Sequence, residues 1–496
     1  MRPLRNQEYL RQRYAAIAST IGIILLMGGV LMLSPLLVLL VDREEVAHAV
    51  CFVKPAGSMV LAGWALWRGF RRQIEHTLTI SEGGIVVVVS WTLVILFSAW
   101  PFTSILGLSY PRSIFEAVSG WTTTGLSVVD VATAGKMVLL WRSVIQLAGG
   151  AGLAILMMSA LVGPVGVGIT SAEGRGEQLA PHVRQSARLV LIIYMGYALS
   201  GIASYRVVGM TWFDAVNHSF AAISTGGFST YVENIGYWDS ASVEAVSVVL
   251  MILGNLSFVT AWFFWRGKLR LVMKNGEVRL MAIVIPVSIA ATFVWTTRAL
   301  YPHLGKAVRV AVFETVSALT TTGFSSVAYD HWNGFGIFML IVLMLIGGGT
   351  CSTAGGIKQF RVHLMWRMLC WELRRQMLPR VAVSECAVWE GDKRVFVDDS
   401  RVRQILVFIF VYMAIYVLGV MILCACGFQL GDSLFEFASA LGTVGLSIGV
   451  TSAGMPDAAL WAETIAMFLG RLEFFVVFVS LYKMAEDGRG MLGASH

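Results

Sequence analysis

Four short segments rich in threonine and glycine recur along the chain, and their residue types suit the binding of a monovalent cation. A dehydrated cation of this kind needs a ring of weakly charged oxygens, which stacked backbone carbonyls supply without the tight grip of carboxylates. Glycine tolerates the backbone angles that such a strand requires, and threonine hydroxyls add further oxygens. The candidate ion-binding residues are Thr123, Thr124, Gly125, Thr225, Gly226, Gly227, Thr321, Thr322, Gly323, Thr443, Val444 and Gly445.

These segments are parts of a longer repeat. FEAVSGWTTTGLS begins at Phe115, FETVSALTTTGFS at Phe313 and FEFASALGTVGLS at Phe435, and in each the glycine follows the Phe by ten residues. The second copy, FDAVNHSFAAISTGGFS from Phe213, has Gly227 fourteen residues after its Phe, so four more residues, about one helical turn, separate its Phe-Asp pair from the glycine. Successive glycines are 102, 96 and 122 residues apart (227 − 125, 323 − 227 and 445 − 323). Such a period indicates a supersecondary unit that is repeated four times.

A short apolar segment of about ten residues precedes each glycine cluster, and it is too short to cross a bilayer. We therefore expect re-entrant half-helices whose negative carboxyl ends face a water-filled centre and favour a cation there. An acidic residue lies at each predicted half-helix start, where it stabilises a helix amino terminus; a carboxylate cage around the ion is the alternative. These acids are Glu116, Asp214, Glu314 and Glu436.

The composition describes a membrane protein. Of 496 residues, 57% are hydrophobic and 14% are charged, and the mean hydropathy is +0.73, whereas soluble domains are about 45–50% apolar and about 25% charged. These values exclude a secreted disulfide scaffold, a nucleic-acid-binding protein and a disordered chain, so the lipid bilayer is the expected partner and nucleic acid is not. The net charge of +7 fits basic cytoplasmic loops. The six cysteines form no CxxC pair and indicate neither a zinc site nor a disulfide framework.

About ten apolar stretches are candidate membrane-spanning helices, which need about 20 apolar residues each, so the expected fold class is an all-α polytopic membrane protein. The stretches lie near 15–41, 46–67, 84–106, 136–160, 186–210, 241–265, 278–300, 335–349, 402–426 and 457–482. The expected segments are an N-terminal two-helix segment (1–76), pore repeats 1 (77–170), 2 (171–276) and 3 (277–380), a hairpin (381–401) and pore repeat 4 (402–496).

The distribution of basic residues predicts which connections are cytoplasmic. Lysine and arginine concentrate at 68–72, 184–188, 266–279 and 361–380, and the positive-inside rule places these connections and the amino terminus in the cytoplasm. Between the last of them and the final repeat, Val381–Val383 and Arg394–Val397 alternate in polarity around a Glu-Gly-Asp turn. This pattern predicts a cytoplasmic β-hairpin.

Taken together, these residues resemble the Trk/Ktr/HKT superfamily of potassium transporters, and most of all its TrkH/TrkG type. The resemblance covers Gly84 to Tyr482 and includes GGGTCSTAGGIKQFRV from Gly347 and GRLEFF from Gly470. It implies four span, pore-loop, span repeats in a pseudo-fourfold arrangement around one ion pore, preceded by two extra helices. It also implies potassium uptake across the bacterial inner membrane, with K⁺ as the transported ion at the filter residues and no organic cofactor on this chain. The implied partners are a second copy in a homodimer and a cytoplasmic TrkA-like nucleotide-binding regulatory subunit.

The filter segments depart from strict symmetry, because the second is Ser-Thr-Gly-Gly and the fourth is Gly-Thr-Val-Gly. Selectivity between K⁺ and Na⁺ therefore does not follow from the sequence, and a sodium-permeable or Na⁺/H⁺-coupled cation transporter of the same fold is the alternative. Val128-Val129-Asp130 after the first filter resembles Ktr members, whereas the chain length favours the Trk type.

A break in the eighth apolar stretch is the candidate gate. Five glycines fall within residues 347–356, and because each costs about 1 kcal/mol relative to alanine in a helix, an unwound loop inside the pore is predicted. The resemblance implies a gate just below the filter; a flexible helix end that reaches the cytosol is the alternative. The candidate gate residues are Gly347, Gly348, Gly349, Thr350, Cys351, Ser352, Thr353 and Arg471.

Arg471 lies within the last apolar stretch, where a guanidinium is costly unless it meets carbonyls, water or an acid. We expect it to contact the loop carbonyls of Gly349 to Ser352 and to form an electrostatic barrier to cations. A snorkelling or salt-bridged arginine is the alternative.

Other function classes fit the residues less well. A membrane enzyme needs a nucleophile and base or a metal cluster, and no HExxH motif is present, so the chain is predicted not to be an enzyme. A carrier with inverted repeats has successive units of opposite orientation, whereas every unit here has the same span, loop, span order on the same side.

Overall fold

Most of the described chain is helical. The computed structural model describes residues 2–70, 78–152, 183–379, 385–390 and 393–493. Two helices, Arg2–Leu31 and Ala49–Phe70, come first and pack along each other as a hairpin. Gly22 and Gly63 allow the two helix backbones to approach closely, since a Cβ added to Gly22 would lie only 2.7 Å from the Gly63 carbonyl oxygen. The 3-10 segments Ser34–Leu40 and Arg43–His48 connect the pair.

The rest of the described chain repeats one pattern four times: an outer helix, a half-helix, a filter segment and an inner helix. The outer helices 1 to 4 are Ile80–Ser98, Val183–Val207, Gly276–Thr292 and Asp399–Ala425. The half-helices 1 to 4 are Tyr110–Trp121, Trp212–Ile223, Leu304–Leu319 and Leu430–Leu441. The inner helices 1 to 4 are Lys136–Ala151, Ala241–Asn255, Gly334–Ile346 and Asp457–Leu472.

Further helical segments connect or continue these elements. They are Trp100–Leu106, Asn234–Trp238, Phe258–Trp265, Leu269–Lys274, Phe293–Thr297, Arg298–Leu300, Gln359–Gln376 and Phe474–Gly493.

Two of the predicted candidate spans contain a sharp bend. Inner helix 2 meets the helix that begins at Phe258 at 114°, and inner helix 4 meets the helix that begins at Phe474 at 96°. The candidate spans predicted at 241–265 and 457–482 are therefore each divided by a bend into two helices. Glu473, at the second bend, has a φ of 55°, a left-handed conformation that interrupts a right-handed helix.

The described helices identify a multi-pass membrane protein. Six are long and apolar enough to cross a membrane, and the number rises to eight if each bent pair is one span. Inner helix 3 has only 13 residues, and the predicted span 136–160 continues past residue 152 into residues outside the described part. Large apolar side chains such as Ile283, Phe410 and Met421 are exposed on the outer helices, where lipid tails replace water as the solvent.

A short hairpin interrupts the helical pattern before outer helix 4. Ala387–Glu390 pairs antiparallel with Lys393–Phe396, and Ala387 lies opposite Phe396. The predicted first strand, Val381–Val383, lies outside the described residues, and the pairing places the first strand later than expected. The segment boundaries predicted at 76, 170 and 380, and residues 71–72 of the first basic connection, also lie outside the described residues.

Candidate ion pore and gate

The four half-helices end at the same distance from their filter glycines. Their last residues, Trp121, Ile223, Leu319 and Leu441, each lie four residues before the glycine. Half-helices 1, 2 and 4 all have 12 residues, so the four extra residues between Phe213 and Gly227 do not lengthen half-helix 2. The Phe213-Asp214 pair lies one turn earlier in its half-helix than the Phe-Glu pairs, so it is not their counterpart.

Each filter segment has the same unusual backbone conformation. The threonine two residues before the glycine has a positive φ in all four, with values of 56°, 51°, 52° and 50° for Thr123, Thr225, Thr321 and Thr443. The glycines have φ values of 94°, 72°, 77° and 97°. A β-branched residue at positive φ is a rare outlier and persists only where the surroundings hold it. Its recurrence in four segments indicates one strained turn that is built four times.

The four filter segments contact one another in a closed ring. A Cβ added to Gly125 would collide with the carbonyl oxygen of Gly226. In the same way, a Cβ added to Gly227 would collide with the carbonyl oxygen of Thr322, one on Gly323 with that of Val444, and one on Gly445 with that of Thr124. The contacts run from segment 1 to 2, 2 to 3, 3 to 4 and 4 back to 1. The four glycines therefore leave no space for a side chain, and the ring encloses a single axis.

Uncharged oxygens surround this ring. The four threonines at positive φ are fully buried, and no Asp or Glu lies within the filter segments. Within the described part of the chain, Thr123 Oγ1 and Thr443 Oγ1 are buried and have no hydrogen-bond partner. A buried hydroxyl in that state is costly, and a bound cation satisfies its oxygen. This donor set suits a weakly held monovalent cation, whereas Ca²⁺ sites rely on carboxylates.

Three buried glutamates support the backbone that follows the filter. Glu116 accepts hydrogen bonds from Ser127 Oγ and Val128 N, both at 3.0 Å. Glu314 and Glu436 likewise accept backbone N–H bonds from the segments after their own filters. Glu116 and Glu436 are each the seventh residue of a 12-residue helix, and Glu314 lies still further along its helix. The helix-terminus interpretation is therefore wrong for these three, and their protein partners argue against an ion cage as well.

His218 occupies the corresponding position in half-helix 2. It lies nine residues before Gly227, as the three glutamates lie nine residues before their glycines. Its Nε2 is 2.9 Å from Ser229 Oγ and its Nδ1 is 2.9 Å from the Asp214 carbonyl oxygen. Because a carbonyl only accepts, Nδ1–H donates and Nε2 accepts from the serine. Asp214 itself lies in the first turn of half-helix 2, so of the four acids it alone fits the predicted helix-terminus role.

Arg142 of inner helix 1 forms hydrogen bonds in both repeat 1 and repeat 2, next to two neighbouring filter segments. Its Nε donates to Glu116 Oε1 at 2.7 Å, and Nη2 donates to Ser127 Oγ at 2.9 Å in repeat 1. Its Nη1 donates to the Ser229 carbonyl oxygen at 3.2 Å in repeat 2, and the guanidinium lies 3.9 Å from the centre of the Phe228 ring. A buried charge is tolerated when it is paired in this way.

Residues 347–358 form a loop between inner helix 3 and the helix Gln359–Gln376. Hydrogen bonds at its base close it, because Gly348 N donates to Gly355 O and Ile357 N donates to Leu345 O, both at 3.0 Å. The loop is largely buried; Thr353 is 1% exposed. The helix is therefore unwound here as predicted, and the loop lies inside the protein rather than at a free helix end.

The candidate gate loop, residues 347–356 and called the gate loop below, packs against three of the four filter segments. Thr225 Oγ1 donates to Thr353 Oγ1 at 3.1 Å, and Gly355 N donates to Thr321 Oγ1 at 2.8 Å. A Cβ on Gly355 collides with Thr443 Oγ1. These three threonines are filter threonines with positive φ, so the loop contacts the strained turns directly.

Arg471 links the gate loop to inner helix 1. Its Nη1 donates to the Thr353 carbonyl oxygen at 2.6 Å, and its Nη2 donates to the carbonyl oxygens of Gly149 at 2.5 Å and Gly150 at 3.3 Å. The predicted contact with carbonyls of residues 349–352 is displaced by one residue. Carbonyl oxygens thus solvate the guanidinium, and its charge lies beside the loop.

The other side of the gate loop is anchored near the bend of inner helix 2. Asn255 Oδ1, at the end of that helix, accepts a hydrogen bond from Gly349 N at 3.0 Å. Glu277 Oε1, at the start of outer helix 3, accepts from Thr350 N at 2.7 Å. The bend and the loop are therefore parts of one contact region.

Sequence reasoning missed His218, Asn255, Glu277 and Gln146 as contributors to this region. Gln146 Nε2 donates to the Gly226 carbonyl oxygen at 2.5 Å, and its Oε1 accepts from Phe228 N at 3.3 Å. The available signal was a polar side chain within an apolar inner helix, which usually has a buried partner. That signal finds Gln146 and Asn255, but it does not say which backbone group each one meets.

Comparison with known proteins identifies the family. The TrkH family, described as cation transport proteins, matches residues 57–491. This chain belongs to the TrkH family. The Trk system potassium uptake protein TrkH of Halomonas elongata is 30% identical over 474 residues, which cover 92% of this chain and 96% of that protein. The Trk system potassium uptake protein TrkG of Escherichia coli has the same identity and coverage.

The architecture agrees with a solved member of the family. The crystal structure of the potassium transporter TrkH from Vibrio parahaemolyticus matches with a TM-score of 0.82 at 28% identity, covering 94% of this chain and 98% of that one. The predicted family and the predicted all-α, multi-pass membrane fold are thereby confirmed.

Proposed function

We propose that this protein takes up potassium ions through the ring of four filter segments. The observation that carries the proposal is the closed ring of strained turns with buried, uncharged oxygens. Such oxygens replace the hydration shell of a monovalent cation. The names of the two relatives at 30% identity, both potassium uptake proteins, support K⁺ as the ion. The twelve filter residues predicted from the sequence are the proposed binding residues.

In the same proposal, the gate loop and Arg471 together form the gate. The loop packs against Thr225, Thr321 and Thr443, so it must move before an ion can leave the filter on that side. The positive charge of Arg471 repels cations at the same place. Thr353 joins the two components, since its hydroxyl meets the filter and its carbonyl meets Arg471.

The proposal includes the assembly and location that the family resemblance implies. The protein forms a homodimer in the bacterial inner membrane and docks a cytoplasmic nucleotide-binding regulatory subunit; the relatives are named as parts of a Trk system. The chain divides into the two-helix segment 1–76, the pore repeats 77–170, 171–276, 277–380 and 402–496, and the hairpin 381–401. It carries no organic cofactor and is not an enzyme.

The test is uptake of ⁸⁶Rb⁺ into liposomes that contain the purified protein, with K⁺ or Na⁺ as competitor. K⁺ is expected to compete and Na⁺ is not. A Gly323→Ser variant is expected to lose about tenfold of this uptake or its preference for K⁺, because a side chain at φ 77° is strained and collides with Val444 O. Gly305→Ser is the matched control in half-helix 3 of the same repeat, since a Cβ added there meets no atom within 4 Å.

The outcomes separate the alternatives. Equal competition by Na⁺ and K⁺ favours the sodium-permeable transporter of the same fold. A folded Gly323→Ser protein that transports like the Gly305→Ser control contradicts the filter assignment. If the wild-type protein is silent, the assay is repeated with Arg471→Ala, in which the proposed barrier is removed.

A further inference from the structure

Two buried carboxyl groups meet at one hydroxyl beside the backbone that follows filter segment 4. Glu436 belongs to half-helix 4 and Glu463 to inner helix 4, and both are 0% exposed. Thr451 Oγ1 lies 2.5 Å from Glu436 Oε1 and 3.0 Å from Glu463 Oε2. Both distances are those of hydrogen bonds between oxygens, so the hydroxyl bridges the two carboxyl groups.

These two hydrogen bonds need two hydrogens. The Thr451 hydroxyl has one, and an ionised carboxylate has none. If the hydroxyl donates to Glu436, the second hydrogen must come from Glu463, and if it donates to Glu463, the second must come from Glu436. In either arrangement one carboxyl group is protonated, so the geometry requires one proton on the pair.

The surroundings of the two acids differ, and they favour Glu463 as the group that carries the proton. The backbone N–H groups of Ile448 and Thr451 donate to Glu436 Oε2 and Oε1 at 3.3 Å and 3.0 Å, and such donors favour an ionised carboxylate. Glu463 Oε1 is buried and, among the described residues, has no hydrogen-bond partner. A buried ion without donors costs far more free energy than a buried neutral acid. The unpartnered oxygen therefore indicates a protonated Glu463 independently of the hydrogen count.

The corresponding position in repeat 1 has a positive charge instead. Arg142 and Glu463 are each the seventh residue of their inner helix. Arg142 pairs with the half-helix glutamate Glu116 at 2.7 Å, whereas in the described part of the chain no basic side chain pairs with Glu436 or Glu463. Repeat 4 thus lacks the cation that balances the acid in repeat 1, and two carboxyl groups at one site share a proton.

We propose that Glu436 and Glu463 bind one proton between them and that Glu463 carries it. Residues 452–454, directly after Thr451, are exposed, so the site lies close to the solution on the predicted outer side of the filter. The proton site does not depend on which ion the filter conducts, whereas its effect on uptake rests on the proposed function.

Glu436 is the charged group that faces Glu463. Half-helices 1 and 4, outer helix 4 and the helix Phe474–Gly493 pack against inner helix 4. Outer helix 4 has its charged residues in its first two turns, and Phe474–Gly493 has them from Lys483 onward. The half-helices and outer helix 4 also carry Asp432, Arg112 paired with Asp457, Glu116 paired with Arg142, and the phenols of Tyr110, Tyr412 and Tyr416.

Loss of the proton changes the support of filter segment 4. One hydrogen then remains for two contacts, and two like charges lie on either side of Thr451 and repel each other. Glu436 also holds the backbone of residues 448 and 451 through their N–H groups. We therefore expect deprotonation to loosen this backbone and to lower uptake.

Infrared spectra of the purified protein test the proton, because a protonated carboxyl group has a C=O stretch that a carboxylate lacks. The difference between wild type and Glu463→Gln at neutral pH is expected to contain the band of one protonated carboxyl group. The glutamine keeps the bond to Thr451, since its amide N–H donates in place of the proton. The matched control is Asp457→Asn, which removes an exposed carboxylate from the same helix and is expected to retain the band.

Thr451→Val is the second variant. It removes the oxygen that accepts the proton of Glu463, so the same C=O band is expected to move to higher frequency. Three results overturn the proposal: no band in the difference between wild type and Glu463→Gln, loss of the band in Asp457→Asn as well, or an unmoved band in Thr451→Val. If Glu463→Gln does not fold, the shift in Thr451→Val decides alone.

Uptake of ⁸⁶Rb⁺ into liposomes at rising outside pH tests the effect on transport. Wild-type uptake is expected to fall by about tenfold for each pH unit once most of the sites have lost their proton. Glu463→Gln has no proton to lose and is expected to show no such fall. Equal falls in both proteins mean that pH acts elsewhere and overturn the effect on transport. A wild-type protein that has the infrared band but takes up no ion contradicts the proposed function and leaves the proton site standing.

Discussion

At the scale of single residues, the repeats use different side chains for the same task. Glu116 accepts a hydrogen bond from the hydroxyl of Ser127, which lies two residues after the filter glycine of repeat 1. His218 accepts a hydrogen bond from the hydroxyl of Ser229, which lies two residues after the filter glycine of repeat 2. The imidazole acts as a neutral acceptor because its Nδ1–H is directed to the Asp214 carbonyl. What the site requires is therefore an acceptor for the serine, and a negative charge is not essential.

This reasoning predicts the effect of substitutions at His218. In His218→Gln the side-chain oxygen can take the place of Nε2 and accept from Ser229, whereas His218→Leu leaves that hydroxyl without its acceptor. Losing the acceptor of a buried donor costs about 1–3 kcal/mol. Thermal unfolding of the purified variants is therefore expected to rank wild type and Gln close together and Leu clearly lower, with ⁸⁶Rb⁺ uptake in the same order. A Leu variant as stable and active as the Gln variant contradicts the acceptor role.

At the scale of elements, the described inner helices end or bend at similar distances from the filter. The first residues after these helices are 152, 256, 347 and 473, and they follow the filter glycines by 27, 29, 24 and 28 residues (152 − 125, 256 − 227, 347 − 323 and 473 − 445). In the described part of the chain, all four inner helices thus end or bend at a similar distance after the filter. In repeat 3 a buried loop follows the interruption, and this loop is the gate loop.

Only some of these interruptions could be predicted from the sequence. In repeat 3, five glycines within ten residues act locally against a helix, so the loop was predictable. In repeat 4 the bend occurs at Glu473, which pairs with Arg361, 112 residues away. In repeat 2 it occurs next to Asn255, which bonds Gly349, 94 residues away. Contacts between residues so distant in sequence leave no local pattern, and an apolar run alone predicts a straight span.

The filter segments were predictable because the residues that determine them are local. The alignment of the half-helix residues among the four repeats was only partly predictable. The Thr-Gly clusters themselves identify the strained turns. The Phe-Asp pair in the second repeat resembles the Phe-Glu pairs in residue type, so the sequence alignment paired Asp214 with the glutamates. The structure instead has His218 at the position of the glutamates. Aligning the four copies on the glycine, which the ring geometry constrains, instead of on the helix start removes the error.

The reactivity of Cys351 towards a maleimide can be used to test the proposed gate. Cys351 lies in the gate loop and is 7% exposed, so in a protein whose other five cysteines are replaced by serine it is expected to react slowly with a maleimide. Arg471→Ala removes the hydrogen bonds to Thr353 and to Gly149, and we expect labelling and basal ⁸⁶Rb⁺ flux to rise together, by about tenfold for the loss of charge-assisted bonds. Arg471→Lys, which retains the charge, is expected to be intermediate.

The control for this experiment is Lys483→Ala, which removes a positive charge from the helix after the bend. Lys483 pairs with Asp487 within that helix and is expected to leave labelling unchanged. If Cys351 is labelled at the same rate in a folded Arg471→Ala protein as in its parent, Arg471 does not hold the loop.

At the scale of the whole molecule, the N-terminal helix pair is attached to the first and last repeats. Arg13 Nε donates to Glu82 Oε1 at 2.6 Å, and a second nitrogen of the same guanidinium bonds the other carboxylate oxygen. Glu82 lies in outer helix 1, while Tyr14 donates to Asp487 Oδ2 at 3.0 Å in the C-terminal helix. The first helix therefore packs across the place where repeats 1 and 4 meet and the filter ring closes.

Replacing one partner tests how far this attachment contributes to stability. Glu82 also forms a capping box with Thr79, and glutamine supports that motif as glutamate does, so Glu82→Gln removes the ion pair while keeping the helix cap. Both side chains are at most 10% exposed, and breaking a buried pair costs about 3–5 kcal/mol. Glu372→Gln, which breaks an exposed pair with Arg375 at 3.8 Å, is the control and is expected to cost less than about 1 kcal/mol.

Thermal unfolding in detergent is expected to show a large drop for Glu82→Gln and almost none for Glu372→Gln. Arg13→Gln/Glu82→Gln is expected to recover part of the loss, because no buried charge then lacks its partner. Equal midpoints for Glu82→Gln and the control mean that apolar packing alone holds the N-terminal pair. In that case the pair could separate from the pore without unfolding it, and removal of residues 1–70 would leave a ring that still closes and still transports.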